Sequence, residues 1–278
     1  MKNIVFTDDL TREIEACEAH YFSDRVKSLA LEEGNPSGAG ILSCGGALAL
    51  NVSTIRDEMH NRIMMPGIIS NDDVVSGLEF LRVNGKSCRI DVPPTINTVE
   101  ILPTLSGLGF VHRDFYNGHV GEAEDVLKRL ADDSSRPPPS LSIRPYAAAE
   151  LKQYIDCFSE GHDIKADERK VIASGFSAIL NSPVARMWGA WQGGELAGVG
   201  LLLIRNRIGH LASVTTRAQF RRLGIHRYLL KSRINDAVAA GCRLVSAHTA
   251  VASASQRNLH RVGLRLAYTK AIWRSRDG

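Results

Sequence analysis

Apolar side chains recur at helical spacing near the start of the chain, at Ile14, Cys17, Tyr21, Val26 and Leu29, which predicts a helix over Leu10–Leu31 with Asp9 as its cap. The pattern then changes period. Ala47–Val52 reads as a strand, Asp72–Asn84 as a helix closed by a turn at Asn84-Gly85, Arg89–Val92 as a short strand and Val99–Leu105 as a helix leading into Gly107–His112. Beyond residue 140 the alternation continues. Helices are expected around Glu150–Ser159 and Arg169–Asn181. Met187–Gln192 and Leu196–Ile204 form a hairpin over Gly193-Gly194, because two glycines accept the positive φ that such turns need. Ile208–Thr216 is the next strand. The helix Gly224–Ala240 lines up Ile225, Leu229, Leu230, Ile234, Ala237 and Val238 on one side and stops at Gly241. Arg243–Thr249 and Leu266–Trp273 supply two more strands. Helices alternating with strands predict an α/β chain with a mixed sheet.

Between the two series lies Asp132–Ser140, with three consecutive prolines at 137–139. Such a run is extended and stiff, and its Ser and Asp neighbours build no core. The expected organisation is therefore a domain over 1–135, a Pro-rich linker over 136–140 and a second domain over 141–278. Charge divides the same way. Residues 1–140 hold 13 Lys/Arg and 21 Asp/Glu, a net of −8, whereas the remainder holds 21 basic and 9 acidic side chains, a net of +12. Between Arg205 and Arg276 there are 15 basic residues and a single acid, Asp236. That field suits a polyanion, and charge alone does not separate a nucleotide cofactor from a transfer RNA. The five cysteines are scattered without metal-ligand spacing, so reduced thiols, no metal and a cytoplasmic location are expected. The longest apolar run, Leu196–Ile204, is too short to span a bilayer, and Met1–Asp9 lacks a signal peptide's apolar segment.

The chemistry concentrates at Arg221-Arg222-Leu223-Gly224-Ile225-His226, a basic turn between a strand and a helix. A helix start presents unpaired N–H groups and a positive dipole end, which together hold a pyrophosphate. Thirty residues on comes Ser253-Ala254-Ser255-Gln256-Arg257-Asn258-Leu259-His260-Arg261-Val262-Gly263-Leu264. Together these segments resemble the acyl-CoA-binding core of the GNAT acyltransferase superfamily, whose Arg/Gln-x-x-Gly-x-Gly/Ala loop holds the CoA pyrophosphate. The ends of the two halves also echo each other, in Gly107–Arg113 and Arg261–Ala267. With Cys44–Leu50 and Asn61-Arg62, the whole chain resembles bacterial proteins that carry two GNAT modules in tandem, the first degenerate. Here Pro66–Asn71 stands where a first loop would be, without a basic residue. The resemblance implies two mixed, mostly antiparallel sheets flanked by helices, with acetyl-CoA or another acyl-CoA as co-substrate of the second module only.

The resemblance further assigns the amides of Val214, Thr215 and Thr216 to the pantetheine arm and thioester, and those of Arg221, Arg222, Leu223, Gly224, Ile225 and His226 to the pyrophosphate, with Arg257 and Asn258 orienting the cofactor. Three departures stand out. His226 replaces a small residue, Arg222 takes a frequent glycine position, and Leu259 stands where many members have the tyrosine that protonates the CoA thiolate. Nor does Ile208–Thr216 carry a glutamate to serve as base. His248, His210 and Ser255 are the remaining catalytic candidates, each with an ordinary alternative: a structural histidine, a solvated strand end and a helix cap. Trp188 and Trp191 are expected to pack rather than stack on substrate. The implied function is N-acyl transfer, most simply acetyl transfer, to the amine of a small molecule by a monomer or homodimer. An aminoacyl-tRNA donor and a non-catalytic acyl-CoA-binding module remain open.

Overall fold

Thr7 is extended and its Oγ1 accepts from the Leu10 amide at 3.2 Å, so Thr7 rather than Asp9 caps the first helix. In this computed structural model, residues 4–82, 88–96, 98–132, 136–180 and 182–276 are described. The expected Asn84-Gly85 turn and the ends of two segments, Asn181 and Ser134-Ser135, lie outside them. In chain order the elements are α1 Asp8–Ala30, β1 Ala39–Cys44, β2 Ala47–Val52, β3 Arg62–Met64, α2 Asn71–Arg82, β4 Arg89–Val92, α3 Thr98–Gly107 and β5 Phe110–Glu122. There follow α4 Ala123–Asp132, β6 Leu141–Pro145, α5 Leu151–Gly161, α6 Arg169–Leu180, β7 Ala185–Gln192, β8 Glu195–Arg205 and β9 Ile208–Thr216. The last are α7 Ile225–Ala239, β10 Leu244–Ala250, α8 Ala254–Arg261 and β11 Arg265–Ser275. The α/β class and mixed sheet expected from the sequence are what the chain forms, and β1, β3, β5 and α4 are additions to that reading.

Two compact units result, and they do not follow the linear order of the chain. One comprises Val5–Gly118, Thr249–Val251 and Leu266–Gly278; the other comprises Met1–Ile4, His119–His248 and Ala252–Arg265. Against the linear division at the prolines, α4 therefore counts with the later unit and nearly all of β11 with the earlier one.

The earlier unit orders its strands β1-β2-β3-β4-β11-β5. Its β3 and β4 run parallel, whereas β1 with β2, β2 with β3 and β4 with β11 are antiparallel. A dry core of Ile63, Val74, Leu78, Ile90, Ile101 and Leu105 lies under α2 and α3. Charge is buried beside it. Lys270 Nζ reaches Glu15 Oε2 at 3.0 Å, Glu18 Oε2 at 2.8 Å and Asp91 Oδ2 at 3.2 Å. Arg62 pairs with Asp91 at 2.9 Å and with Glu18 at 3.5 Å, and Arg89 closes on Asp91 as well. These six side chains are at most 6% exposed. Burial alone would pull Lys270 down, yet its three carboxylates push it above the ordinary lysine range. A balanced group of three cations and three anions satisfies itself, but removing one leaves the others stranded.

In the later unit the order is β10-β9-β8-β7-β6, antiparallel from β6 to β9 and parallel between β9 and β10. The hairpin turns at Gly193 and Gly194, with φ of 60° and 87° as expected. Trp191 stacks on Tyr146 and Trp188 Nε1 donates to Asp236 at 3.2 Å, so both tryptophans pack as expected. Leu202, Leu211, Leu230, Ile234, Val245 and Leu264 form the core that seats α7 and α8 on the sheet.

Replacing Lys270 with Met is expected to cost about 3–5 kcal/mol, because it strands Glu15 and Glu18 in the interior; urea unfolding reads the loss, and a cost under about 1 kcal/mol would contradict it. Acid should also weaken the fold. Burial lowers the pKa of His60 and of His119 to about 4, so both are neutral when folded while the unfolded chain protonates them below about 6.5. Stability is thus complete above about pH 6.5 and falls by roughly a few kcal/mol toward pH 4; urea midpoints that coincide at pH 7 and pH 5 would refute this.

Candidate functional site

Strand β9 has nine residues, but its parallel pairing to β10 is short. The register joins Ile208, Gly209 and His210 to Leu244, Val245 and Ser246, and no later residue of β9 pairs with β10. From Leu211 onward β9 has no register pair with β10 among the described residues. A second irregularity lies on the other edge of β9. Val199 faces Thr215 but Leu201 faces Ala212, so Ser213 and Val214 together oppose Gly200. That is a β-bulge, and Ser213 adopts φ +48° within it. A bulge bends its strand and increases local twist, which carries the end of β9 away from β10.

After Thr216 the chain makes one turn of 3-10 helix at Ala218–Phe220 and enters Arg221–Gly224. Arg222 (φ +67°) and Gly224 (φ +76°) are both left-handed, and Gly224 is the N-cap of α7. No side chain caps this helix and its first turn holds no acid. The Arg227 and Tyr228 amides donate to Gly224 O at 2.9 and 3.3 Å, which leaves the earlier amides, at Ile225 and His226, and the positive end of the dipole to meet a ligand.

These features open on a cleft of about 750 Å³ lying wholly within the later unit. Val214, Thr215 and Thr216 line it from β9; Arg221, Arg222, Gly224, Ile225 and His226 line it from the loop and helix start. From α8 come Ser255 and Asn258. The sequence placed these ten together. Arg227, which the sequence offered as a further charge-assisted contact, lines it too, and Arg129 of α4 and Arg261, not assigned there, raise the number of cleft arginines to five with no acidic side chain in the wall. Two polar atoms in the wall are buried and lack a partner: Thr216 Oγ1 and His226 Nε2. The His226 Nδ1 lies 3.4 Å from the Asn258 amide nitrogen, so its remaining nitrogen is the one left to the cleft. Burial, with the Arg233 charge, lowers its pKa to about 4, which keeps the imidazole neutral near pH 7.

Other expected residues lie elsewhere. Leu223 is exposed and outside the wall. Arg257 is also outside it, donating to Ala252 O at 2.7 Å. The cap of α8 is Ser253, whose Oγ accepts from Gln256 N at 3.1 Å, so Ser255 is inside the helix and its hydroxyl is not a cap. Leu259 is buried in the core. His210 and His248 do not line the cleft. His210 is buried and its Nδ1 lies 2.9 Å from Ser246 Oγ, at the last pair before the strands part. The His248 ring is 5.4 Å from it, half-buried, two residues beyond Ser246 on the same face of β10. Val245 and Ala247 point the other way, into the core beneath α7.

The corresponding corner of the earlier unit is built differently. The Gly67 amide donates to Gly46 O at 3.0 Å, and a Cβ on Gly46 would overlap the Ile68 main chain. At the start of α2, Asp73 Oδ2 accepts from Ser70 N at 2.8 Å and Ser70 Oγ from Asp73 N at 3.3 Å. With Asp72 and Asp73 in its first turn, that helix start is occupied by its own carboxylate.

Comparison with known proteins agrees with this geometry. Residues 149–264 match the model of the Acetyltransferase (GNAT) family. A tandem GNAT protein from the clavulanic acid biosynthesis pathway superimposes with a TM-score of 0.60 at 12% identity, over 93% of this chain and 95% of that one. A GCN5-related N-acetyltransferase from Kribbella flavida gives 0.60 at 14% identity, over 94% and 96%. A functionally unknown conserved protein from Staphylococcus epidermidis gives 0.61 at 10% identity, over 87% and 96%. No curated protein matches the chain by sequence. The chain has the fold of these tandem proteins, and its segment 149–264 is similar to the acetyltransferase (GNAT) family.

Proposed function

We propose that the chain is an N-acyltransferase, in its simplest form an acetyltransferase, which moves an acyl group from acyl-CoA to the amine of a small molecule. The observation that carries this reading is the gap between β9 and β10 opening beside an uncapped, arginine-ringed helix start. Amides around Gly224 would hold the diphosphate, with Arg221, Arg222 and Arg227 adding charge-assisted contacts. The unpartnered Thr216 Oγ1 and His226 Nε2 fit the same anionic arm. The bulged stretch Ser213–Thr216 would place the thioester in the gap, where main-chain donors stabilise the oxyanion formed as the amine attacks.

The acceptor is then expected on the opposite face of the sheet from α7. His248 and His210 lie on that face at the parting of the strands, and we assign them the amine's proton, His248 as the more accessible acceptor and His210 as its buried neighbour. Ser255, which lines the cleft from α8, is the hydroxyl we assign to the leaving thiolate in place of a tyrosine at Leu259. The first domain, over 1–135, is assigned no cofactor, since Asp73 fills the start of α2. The five-arginine wall also suits a transfer RNA donor, and the two donors differ in a measurable way, because polynucleotide binding falls steeply with salt.

Calorimetry tests the reading: acetyl-CoA should bind saturably, and Arg221→Glu or Gly224→Asp should weaken it at least about tenfold through charge repulsion at the helix start. No saturable binding, or unchanged binding in both variants, would refute the reading, and RNA binding in its place would favour the aminoacyl-tRNA donor. His248→Gln is expected to lower the acyl-transfer rate by about 100-fold with the acetyl-CoA Kd unchanged; an unaltered rate would remove His248 from the mechanism.

A further inference from the structure

Arg233, in the third turn of α7, is fully buried and pairs with no carboxylate among the described residues. Isolation of a guanidinium in a protein core is costly. Burial pulls its pKa down to about 10, so it keeps its charge near neutrality. What it touches is the bulge. Nε donates to Leu229 O at 3.1 Å, within its own helix, while Nη1 donates to Leu201 O at 3.0 Å and to Ala212 O at 3.3 Å. Leu201 and Ala212 are the first register pair beyond the irregularity, one on each strand. Glycine at residue 200 leaves the fork its present place: a Cβ there would stand 2.9 Å from the Arg233 Cζ and displace the tip. Its second amino group, Nη2, is buried without a partner.

Resting on the acyltransferase reading above, we infer that Arg233 is a positioning residue that sets the bulge of β9 and, through it, the main-chain donors that polarise the thioester carbonyl. The peptide between Ala212 and Ser213 is trans, so its C=O and N–H point in opposite directions. Drawing the Ala212 oxygen toward α7 therefore turns the Ser213 N–H away from α7, toward the gap and the acceptor face. The guanidinium also places a permanent positive charge beneath the site where negative charge grows on the thioester oxygen, in surroundings too dry to screen it. Arg233 touches no substrate. It acts through the strand.

The test uses acetyl-CoA labelled with ¹³C at the thioester carbonyl, bound to the full chain, with the carbonyl infrared band read beside the Kd and the rate of CoA release. The expected result for the unaltered chain is a band shifted to lower frequency than in solution. Arg233→Met should bind acetyl-CoA within about threefold, because the diphosphate loop is untouched, yet lose most of the band shift and at least tenfold in rate. Arg233→Lys, which keeps the charge and one donor, should recover part of both. If Arg233→Met does not fold, Gly200→Ala takes its place: it keeps the arginine but displaces the tip, and should reduce the shift at native far-UV circular dichroism. An unchanged band and rate in Arg233→Met, or in Gly200→Ala where the first variant fails to fold, overturns the inference. Failure of the unaltered chain to bind acetyl-CoA overturns the acyltransferase reading itself, and this inference falls with it.

Discussion

A strand that cannot stay paired is the constraint on which the later unit's chemistry depends. Parallel neighbours normally continue their ladder for their common length, and β9 abandons β10 after three pairs. Its extra residue at the bulge accounts for the divergence, since a register of two residues against one cannot be absorbed without twist. Exposed main-chain donors and acceptors are unfavourable unless something meets them. On the β8 side Arg233 meets the carbonyls. On the β10 side the strand is left open beside a cleft, where a ligand rich in acceptors completes the accounting.

The two units show how one architecture is opened or closed by a few polar atoms. In each, a short parallel pair of strands precedes or follows a helix, β3 and β4 with α2 in one, β9 and β10 with α7 in the other. At α2 the helix start is satisfied by Ser70 and Asp73, and the preceding loop is held by Gly46. At α7 the same position has Gly224, no acid, and five arginines in the cleft wall. A carboxylate supplied in the chain excludes one supplied by a ligand. The earlier unit spends its ionisable residues inward, in the six-membered cluster around Lys270 and Asp91, where they fix the fold rather than face a substrate.

Much of this was legible before any coordinates. The strand Ile208–Thr216 has the bounds the sequence predicts, the α7 core positions are as expected, and the basic turn stands where a strand gives way to a helix. Those features are local, and periodicity or turn chemistry reports them directly. What the sequence hid is non-local. Arg233 reads as one more charge in a basic helix, because its burial follows from Gly200 lying opposite on a different strand. Arg129 enters the cleft from a helix 90 residues before the loop in sequence, and nothing in its own segment signals that. Thr7 and Asp9 are both good caps by residue type, and only backbone conformation separates them. Ser253 and Ser255 present the same ambiguity, resolved by the Gln256 amide.

The gap between β9 and β10 is the central claim, and a crystal structure of the chain grown with acetyl-CoA tests it most directly. The account predicts diphosphate oxygens about 3 Å from main-chain nitrogens of residues 222 to 226, and the thioester lying between the two strands. A diphosphate seated at α2, or a thioester outside an unchanged gap, would contradict it.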